Sequence, residues 1–201
     1  MIEQDSPASV MPRLVKGVRI VTSRLVEQGI RTTGLWLVHL FCRTVLDRPL
    51  RRLSQITPSL FVGGQFGRRG KRILERWGIE AVVNLRAEFD DRAAALAPTH
   101  YLYLPTIDDQ APSMEALEEG VAFIQAQIKA GRKVYIHCAS GVGRAPTLAV
   151  AYLVSTGLMV EQAWDMIRQV RPFIRPTLVQ RRQVERFAQW WRQREQASPR
   201  E

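Results

Sequence analysis

Only two cysteines occur in 201 residues, and Cys42 and Cys138 are far apart, so no disulfide framework is built into this chain. Acidic residues are also scarce. Nineteen Asp and Glu stand against 29 Lys and Arg, and the resulting formal charge of +10 favours anionic partners. The apolar run from Leu35 to Phe41 is interrupted by His39 and is too short to span a bilayer. Met1 to Asp5 is acidic and lacks an adjoining apolar stretch, so no secretory signal is expected. No repeat period or low-complexity tract is evident. What remains is a length and an apolar fraction of 46% that can bury a real core.

One segment carries chemistry. His137-Cys138-Ala139-Ser140-Gly141-Val142-Gly143-Arg144 follows the strand-like Val134-Tyr135-Ile136 and precedes a long apolar helical stretch. A cysteine and an arginine five residues apart, with two glycines between, let the backbone curl so that the N–H groups of Ala139, Ser140, Gly141, Val142, Gly143 and Arg144 converge on one anion. The following helix aims its positive end at the same place. Thiols in such surroundings ionise below the ordinary value of about 8.5, so Cys138 is expected to be a nucleophile at neutral pH. That chemistry requires a compartment that keeps thiols reduced, which implies a cytoplasmic location. The planar Arg144 guanidinium can take two phosphoryl oxygens at once. His137 is expected to order the loop, with a role as base the alternative.

These residues resemble the His-Cys-x5-Arg motif of the cysteine-based protein tyrosine and dual-specificity phosphatases. The resemblance covers Ser54 to Trp190, beginning with a first strand Leu60-Phe61-Val62-Gly63-Gly64. It implies a general acid on a separate loop some thirty residues upstream, where Pro105-Thr106-Ile107-Asp108-Asp109-Gln110-Ala111-Pro112-Ser113 sits. Asp108 aligns best with the family's acid, and Asp109 is the alternative. The implied reaction has two steps, formation of a phosphocysteine at Cys138 and its hydrolysis by water, with Asp108 first acid and then base. No metal and no cofactor is implied. One departure stands out. Most members carry Ser or Thr directly after the arginine, whereas this chain has Ala145, then Pro146 and Thr147. Whether Thr147 or Ser140 replaces that hydroxyl stays open, and a slowed second step is expected.

By this resemblance the expected function is dual-specificity-type hydrolysis of phosphotyrosine, phosphoserine and phosphothreonine in proteins. A phospholipid phosphatase acting on phosphatidylglycerophosphate or a phosphoinositide is the alternative, and a non-catalytic phosphate-binding protein is a third. The expected partner is thus a phosphorylated protein or an anionic phospholipid. No specific nucleic-acid contact is expected, since charge without a reading motif does not indicate one.

The organisation follows from periodicity. Met11, Leu14, Val15, Val18, Val21 and Leu25 recur at helical spacing, with Arg13, Lys16, Arg19 and Arg24 mostly between them, which predicts a basic amphipathic helix. Asp47-Arg48-Pro49-Leu50-Arg51-Arg52 then interrupts the apolar pattern, dividing a helical extension (1–50) from a catalytic domain (51–195) and a frayed tail (196–201). Packing on the catalytic domain, peripheral contact of residues 10–45 with the cytosolic face of a membrane, and binding to a partner helix are three readings of the extension.

Within the domain, strands are predicted at Ala81–Leu85 and Tyr101–Leu104, and helices after Ser113, over Leu148–Val154, Val160–Val170 and Thr177–Gln193. Arg171-Pro172-Phe173-Ile174-Arg175-Pro176 reads as a connection between helices, with a place on the pocket rim the alternative. Trp190-Trp191 reads as helical packing with Phe187. The expected fold is α/β, a central mixed sheet flanked by helices, similar to the dual-specificity phosphatases.

Overall fold

The computed structural model describes residues 7–197, with side chains over 17–196. The expectations for 1–5 and 198–201, and for the side chains of Met11, Arg13, Leu14, Val15 and Lys16, fall outside the described residues. The chain divides into two compact units, Met1–Val38 and His39–Glu201. Helix α1, Pro7–Thr44, departs from helical geometry at Gly29 (φ 78°, ψ 170°), a conformation that glycine adopts without the Cβ clash other residues meet. The predicted amphipathic helix and the apolar run Leu35–Phe41 both fall within this kinked element. In the first unit the Arg24 guanidinium lies 4.5 Å from the centre of the Trp36 ring, and Val18, Leu25, Val26 and Ile30 are exposed. Among the described residues no helix is long and apolar enough to cross a membrane.

The second unit is built on four strands, β1 (Leu60–Gly64), β2 (Ile79–Arg86), β3 (His100–Thr106) and β4 (Lys133–Cys138), in the order β1-β4-β2-β3. All neighbours run parallel. The expected mixed sheet is thus corrected to a parallel one, with an antiparallel contact only at the isolated bridge between Gln55 and Phe61. Connection length is the physical reason. Each strand is reached through a dozen or more residues, long enough to cross back and start again at the same edge. Helices α2 (Arg68–Arg76) and α3 (Met114–Lys129) lie in two of these crossovers, and α4 (Arg144–Ser155), α5 (Val160–Val170) and α6 (Leu178–Ala197) follow β4.

Alternation along the strands makes two cores. Leu60, Val62, Val83, Leu85, Val134 and Ile136 face α3 to α6, where Leu117, Ile124, Leu148, Trp164 and Phe187 complete one apolar layer. Phe61, Val82 and Tyr135 point the other way, onto Phe66, Leu74 and Leu96. The expected α/β fold with flanking helices is borne out. Helix α4 is buried along nearly its whole length, as its uninterrupted apolar sequence requires. Ser113 caps α3 by accepting the Ala116 N–H at 3.2 Å. Phe187 stacks on Trp191 with centroids 5.6 Å apart, so this aromatic cluster is packing.

Helix α2 has glycine at its N-cap position, which offers no side chain to its first amides. Asp47, twenty residues upstream, supplies one. Its carboxylate accepts the N–H groups of Gly67 (2.6 Å), Arg69 (2.9 Å) and Gly70 (3.0 Å). Residues 39–50, which composition assigns to the extension, thereby pack within the second unit. Removing this remote cap with Asp47→Ala is expected to lower stability by about 1–2 kcal/mol, read as an earlier urea midpoint with an unchanged slope. An unchanged midpoint would contradict the capping role.

Candidate active site

Cys138 ends β4 and Arg144 begins α4, so the five residues between them must turn the chain at the carboxyl edge of the sheet. Each of their carbonyls is held by a donor outside the turn. Ala139 O accepts the Gln65 N–H (3.1 Å), Val142 O the Arg175 N–H (2.9 Å), and Gly143 O the Thr147 N–H (3.1 Å). Ser140 O and Gly141 O accept from Arg171 Nη2 (3.3 Å) and Nε (3.1 Å). A trans peptide is planar, with its N–H opposed to its C=O, so anchoring these carbonyls outward turns the N–H groups of residues 140–144 inward. The Gly141 N–H shows the result directly, donating to Cys138 Sγ at 3.3 Å. Ala139 instead contributes its outward carbonyl.

Two glycine positions make this turn sterically possible. Gly141 has φ +67°, and a Cβ there would fall 2.3 Å from Gly63 O. Gly64 lies under the same turn, where a Cβ would meet Ala139 O at 3.0 Å. Behind the turn sits a buried cationic support. Arg171 is fully buried, and besides Ser140 and Gly141 it donates to Leu53 O and stacks over Phe173. Burial pushes its guanidinium down to about 10. His39 Nε2 donates to Ser140 O at 3.3 Å, and its ring stacks on Phe173. Burial, reinforced by the Arg171 charge, pushes His39 down to about 3, so it is neutral over the physiological range. The segment 171–176 is more than a connection between helices, because it braces the turn from behind.

Arg144 is buried and gathers the ends of the other strands. Nη1 donates to Thr106 O (2.7 Å) and Leu85 O (3.4 Å), while Nη1 and Nη2 grip the two Glu88 oxygens at 2.9 and 3.0 Å. Nη2 also lies 2.9 Å from Asp108 Oδ1. Nε is buried and has no hydrogen-bond partner among the described residues. It shares one edge of the planar group with Nη2, and a phosphoryl group taking both donors of that edge would displace Asp108 Oδ1 from Nη2. Asp108 is mostly exposed at the lip. Its neighbour Asp109 adopts φ +62° and gives its carbonyl to Thr177 Oγ1, which fixes the backbone of this loop against the start of α6.

The remaining candidates have local duties. His137 Nε2 meets Asp91 Oδ2 at 2.6 Å with both side chains fully buried, and Gln65 Nε2 donates to the other Asp91 oxygen at 2.8 Å. Thr147 Oγ1 donates to Gly143 O at 2.9 Å, back-bonding within its own helix. Four site residues escape sequence reading: Glu88, Asp91, Arg171 and His39. Arg171 lies in a segment whose basic character was visible. Glu88 and Asp91 sit in an acidic stretch after β2 whose proximity to Arg144 and His137 exists only once the sheet forms. His39 carried no motif at all.

The Arg144 hydrogen bonds hold the Glu88 carboxyl at about 2, below its ordinary 4.5. A carboxyl depressed by folding contributes stability that is fully present above its ordinary value and lost as pH falls through the depressed one. Solvent screening reduces the size of this contribution, since the Glu88 side chain is 41% exposed. Glu88→Gln is expected to flatten the pH dependence of stability between 4.5 and about 2, measured by denaturant unfolding across that window. A variant slope equal to wild type would contradict the clamp.

Residues 60–189 match the family model described as dual specificity phosphatase, catalytic domain. The human dual specificity protein phosphatase 1 is 29% identical over 126 residues, 61% of this chain and 33% of that protein. The mouse dual specificity protein phosphatase 2 is 31% identical over 124 residues, 61% of this chain and 38% of that one. The chain therefore spans little more than a third of the length of these curated relatives. Among solved structures, PTPMT1 superposes with a TM-score of 0.65 at 22% identity, covering 72% of this chain and 99% of that one. Human DUSP28 gives 0.62 at 23%, covering 70% and 99%. With a matching fold and a family model covering most of the chain, the protein belongs to the dual specificity phosphatase catalytic-domain family.

Proposed function

We propose that this chain hydrolyses phosphate monoesters on proteins through a phosphocysteine formed at Cys138. The observation that carries the reading is the meeting of three groups from two separate loops: Cys138 Sγ under the Gly141 amide and the Arg144 fork, from the turn between β4 and α4, and Asp108, from the loop after β3, 2.9 Å from Arg144 Nη2. In the first step the sulfur attacks phosphorus while the P–O bond to the leaving group breaks, and Asp108 gives that oxygen its proton. In the second, water attacks phosphorus, Asp108 takes its proton, and the S–P bond returns its electron pair to sulfur. Charge on the equatorial oxygens is met by the inward amides of residues 140–144 and by Arg144 Nε and Nη2, fixed dipoles that need no reorganisation. Asp108 is favoured over Asp109 because it adjoins the guanidinium, whereas the backbone of Asp109 is committed to Thr177. Ala145 offers no hydroxyl to the departing sulfur, and Thr147 Oγ1 is engaged by Gly143 O, which supports a slow second step.

A phosphoprotein substrate is supported by relatives that share the catalytic region and are named as protein phosphatases. An anionic phospholipid is the second reading. Exposed Val18, Leu25, Val26 and Ile30 beside the arginines of α1 suit peripheral contact with an acidic membrane surface, and one fold neighbour is solved in complex with PI(5)P. Hydrolysis of phosphopeptides compared with phosphoinositide and phosphatidylglycerophosphate vesicles at matched salt separates the two.

A general acid matters most where the leaving oxygen is basic. Asp108→Asn is expected to slow hydrolysis of an alkyl phosphate about 10²–10⁴-fold, and to slow a nitrophenyl phosphate far less. Equal losses on both substrates, or the same pattern from Asp109→Asn alone, would reject Asp108 as the acid.

A further inference from the structure

Helix α2 and its C-cap residue present Arg69, Ile73, Arg76 and Trp77 along one face, at positions i, i+4, i+7 and i+8. Facing them is the segment Arg48-Pro49-Leu50-Arg51, and the two walls line a half-open cavity of about 480 Å³. Four guanidinium groups line it and no carboxylate does. None of the four forms an ion pair among the described residues. Like charges gathered around one space repel one another, and their summed field attracts an anion of high charge. Pro49, Leu50, Ile73 and Trp77 complete the lining between the exposed arginines.

The cavity is held open by the fold. Asp47, next to Arg48, is bonded to three amides of the first turn of α2, so the two walls keep a fixed separation. The Arg48 N–H is bonded to Cys42 O at 2.8 Å, and Arg51 Nε to Gln55 Oε1 at 2.9 Å, which restrains the second wall. The site is separate from the candidate active site. Lys133 Nζ donates to Trp77 O at 2.8 Å, placing Trp77 beside the first residue of β4, whereas Cys138 is its last, about 16 Å along the strand. No residue is shared between the two sites.

We propose that this arginine-lined cavity is a second anion site that binds a multiply phosphorylated group, either a soluble polyanion or the headgroup of a phosphorylated lipid. Arginine suits this ligand because each planar fork can bind two phosphoryl oxygens. The proposal does not depend on the phosphatase reading, since it requires no turnover.

The test uses the full chain and two probes, inorganic tripolyphosphate followed by titration calorimetry, and phosphatidylcholine vesicles containing one part in ten of phosphatidylinositol bisphosphate followed by flotation. R51E/R76E is expected to weaken binding of at least one probe by about tenfold or more while leaving nitrophenyl phosphate turnover unchanged, which also shows that the variant folds. R182E/R186E, which reverses the same charge on exposed positions of α6, is expected to bind as wild type does. R51Q/R76Q, with the charges removed but not reversed, is expected to show an intermediate loss and serves if the reversal fails to fold. Loss of tripolyphosphate binding identifies a soluble polyanion, and loss of flotation alone identifies the lipid headgroup. Absence of binding by both probes, retention of binding in R51E/R76E, or an equal loss in R182E/R186E would overturn the site.

Discussion

Everything at the candidate site depends on five consecutive carbonyls being held from outside. A chain turning from β4 into α4 has no intrinsic reason to point successive N–H groups at one spot. It does so here because Gln65, Arg171, Arg175 and Thr147 take the opposite ends of the peptides. Planarity converts those outward bonds into an inward ring of donors. The restraint comes from distant parts of the chain, β1, the α5–α6 connection and α4 itself, so the anion site forms only when the whole second unit is folded.

Two arginines divide the electrostatic work. Arg144 ties the loop after β2, the end of β3 and the acid loop to the turn, so that Glu88 and Asp108 share one guanidinium. A bidentate carboxylate fixes the plane of that group, and orientation is what a two-oxygen grip on phosphate requires. Arg171 does the reverse. It is wholly buried and donates to carbonyls of Ser140, Gly141 and Leu53, which places a positive charge behind the turn. Removing such a charge from water is costly, and the hydrogen bonds it makes to the turn offset part of that cost.

Sequence reading reached what is local. The strand before Cys138, the glycine-bearing turn, the Ser113 cap and the apolar length of α4 are all legible because their causes lie within a few residues. The strand sense was misjudged because parallel pairing is decided by connections whose paths the sequence does not display. Glu88, Asp91, His39 and Arg171 were not identified as site residues for a related reason. Each acts on a group 46 to 132 positions away or on a carbonyl brought near by the sheet, and no periodicity marks such a pairing. Asp47, within the 1–50 extension of the sequence reading, bonds to α2, because a carboxylate can cap a helix from anywhere in the chain that packing brings close.

The most direct measurement is rapid-quench mass spectrometry of the protein mixed with excess nitrophenyl phosphate. A phosphate adduct mapping to the Cys138 peptide within the first turnover, accompanied by a burst of nitrophenol and absent in Cys138→Ser, is the predicted result. Turnover with no adduct on that peptide, or equal turnover in Cys138→Ser, would contradict transfer of the phosphoryl group to this sulfur.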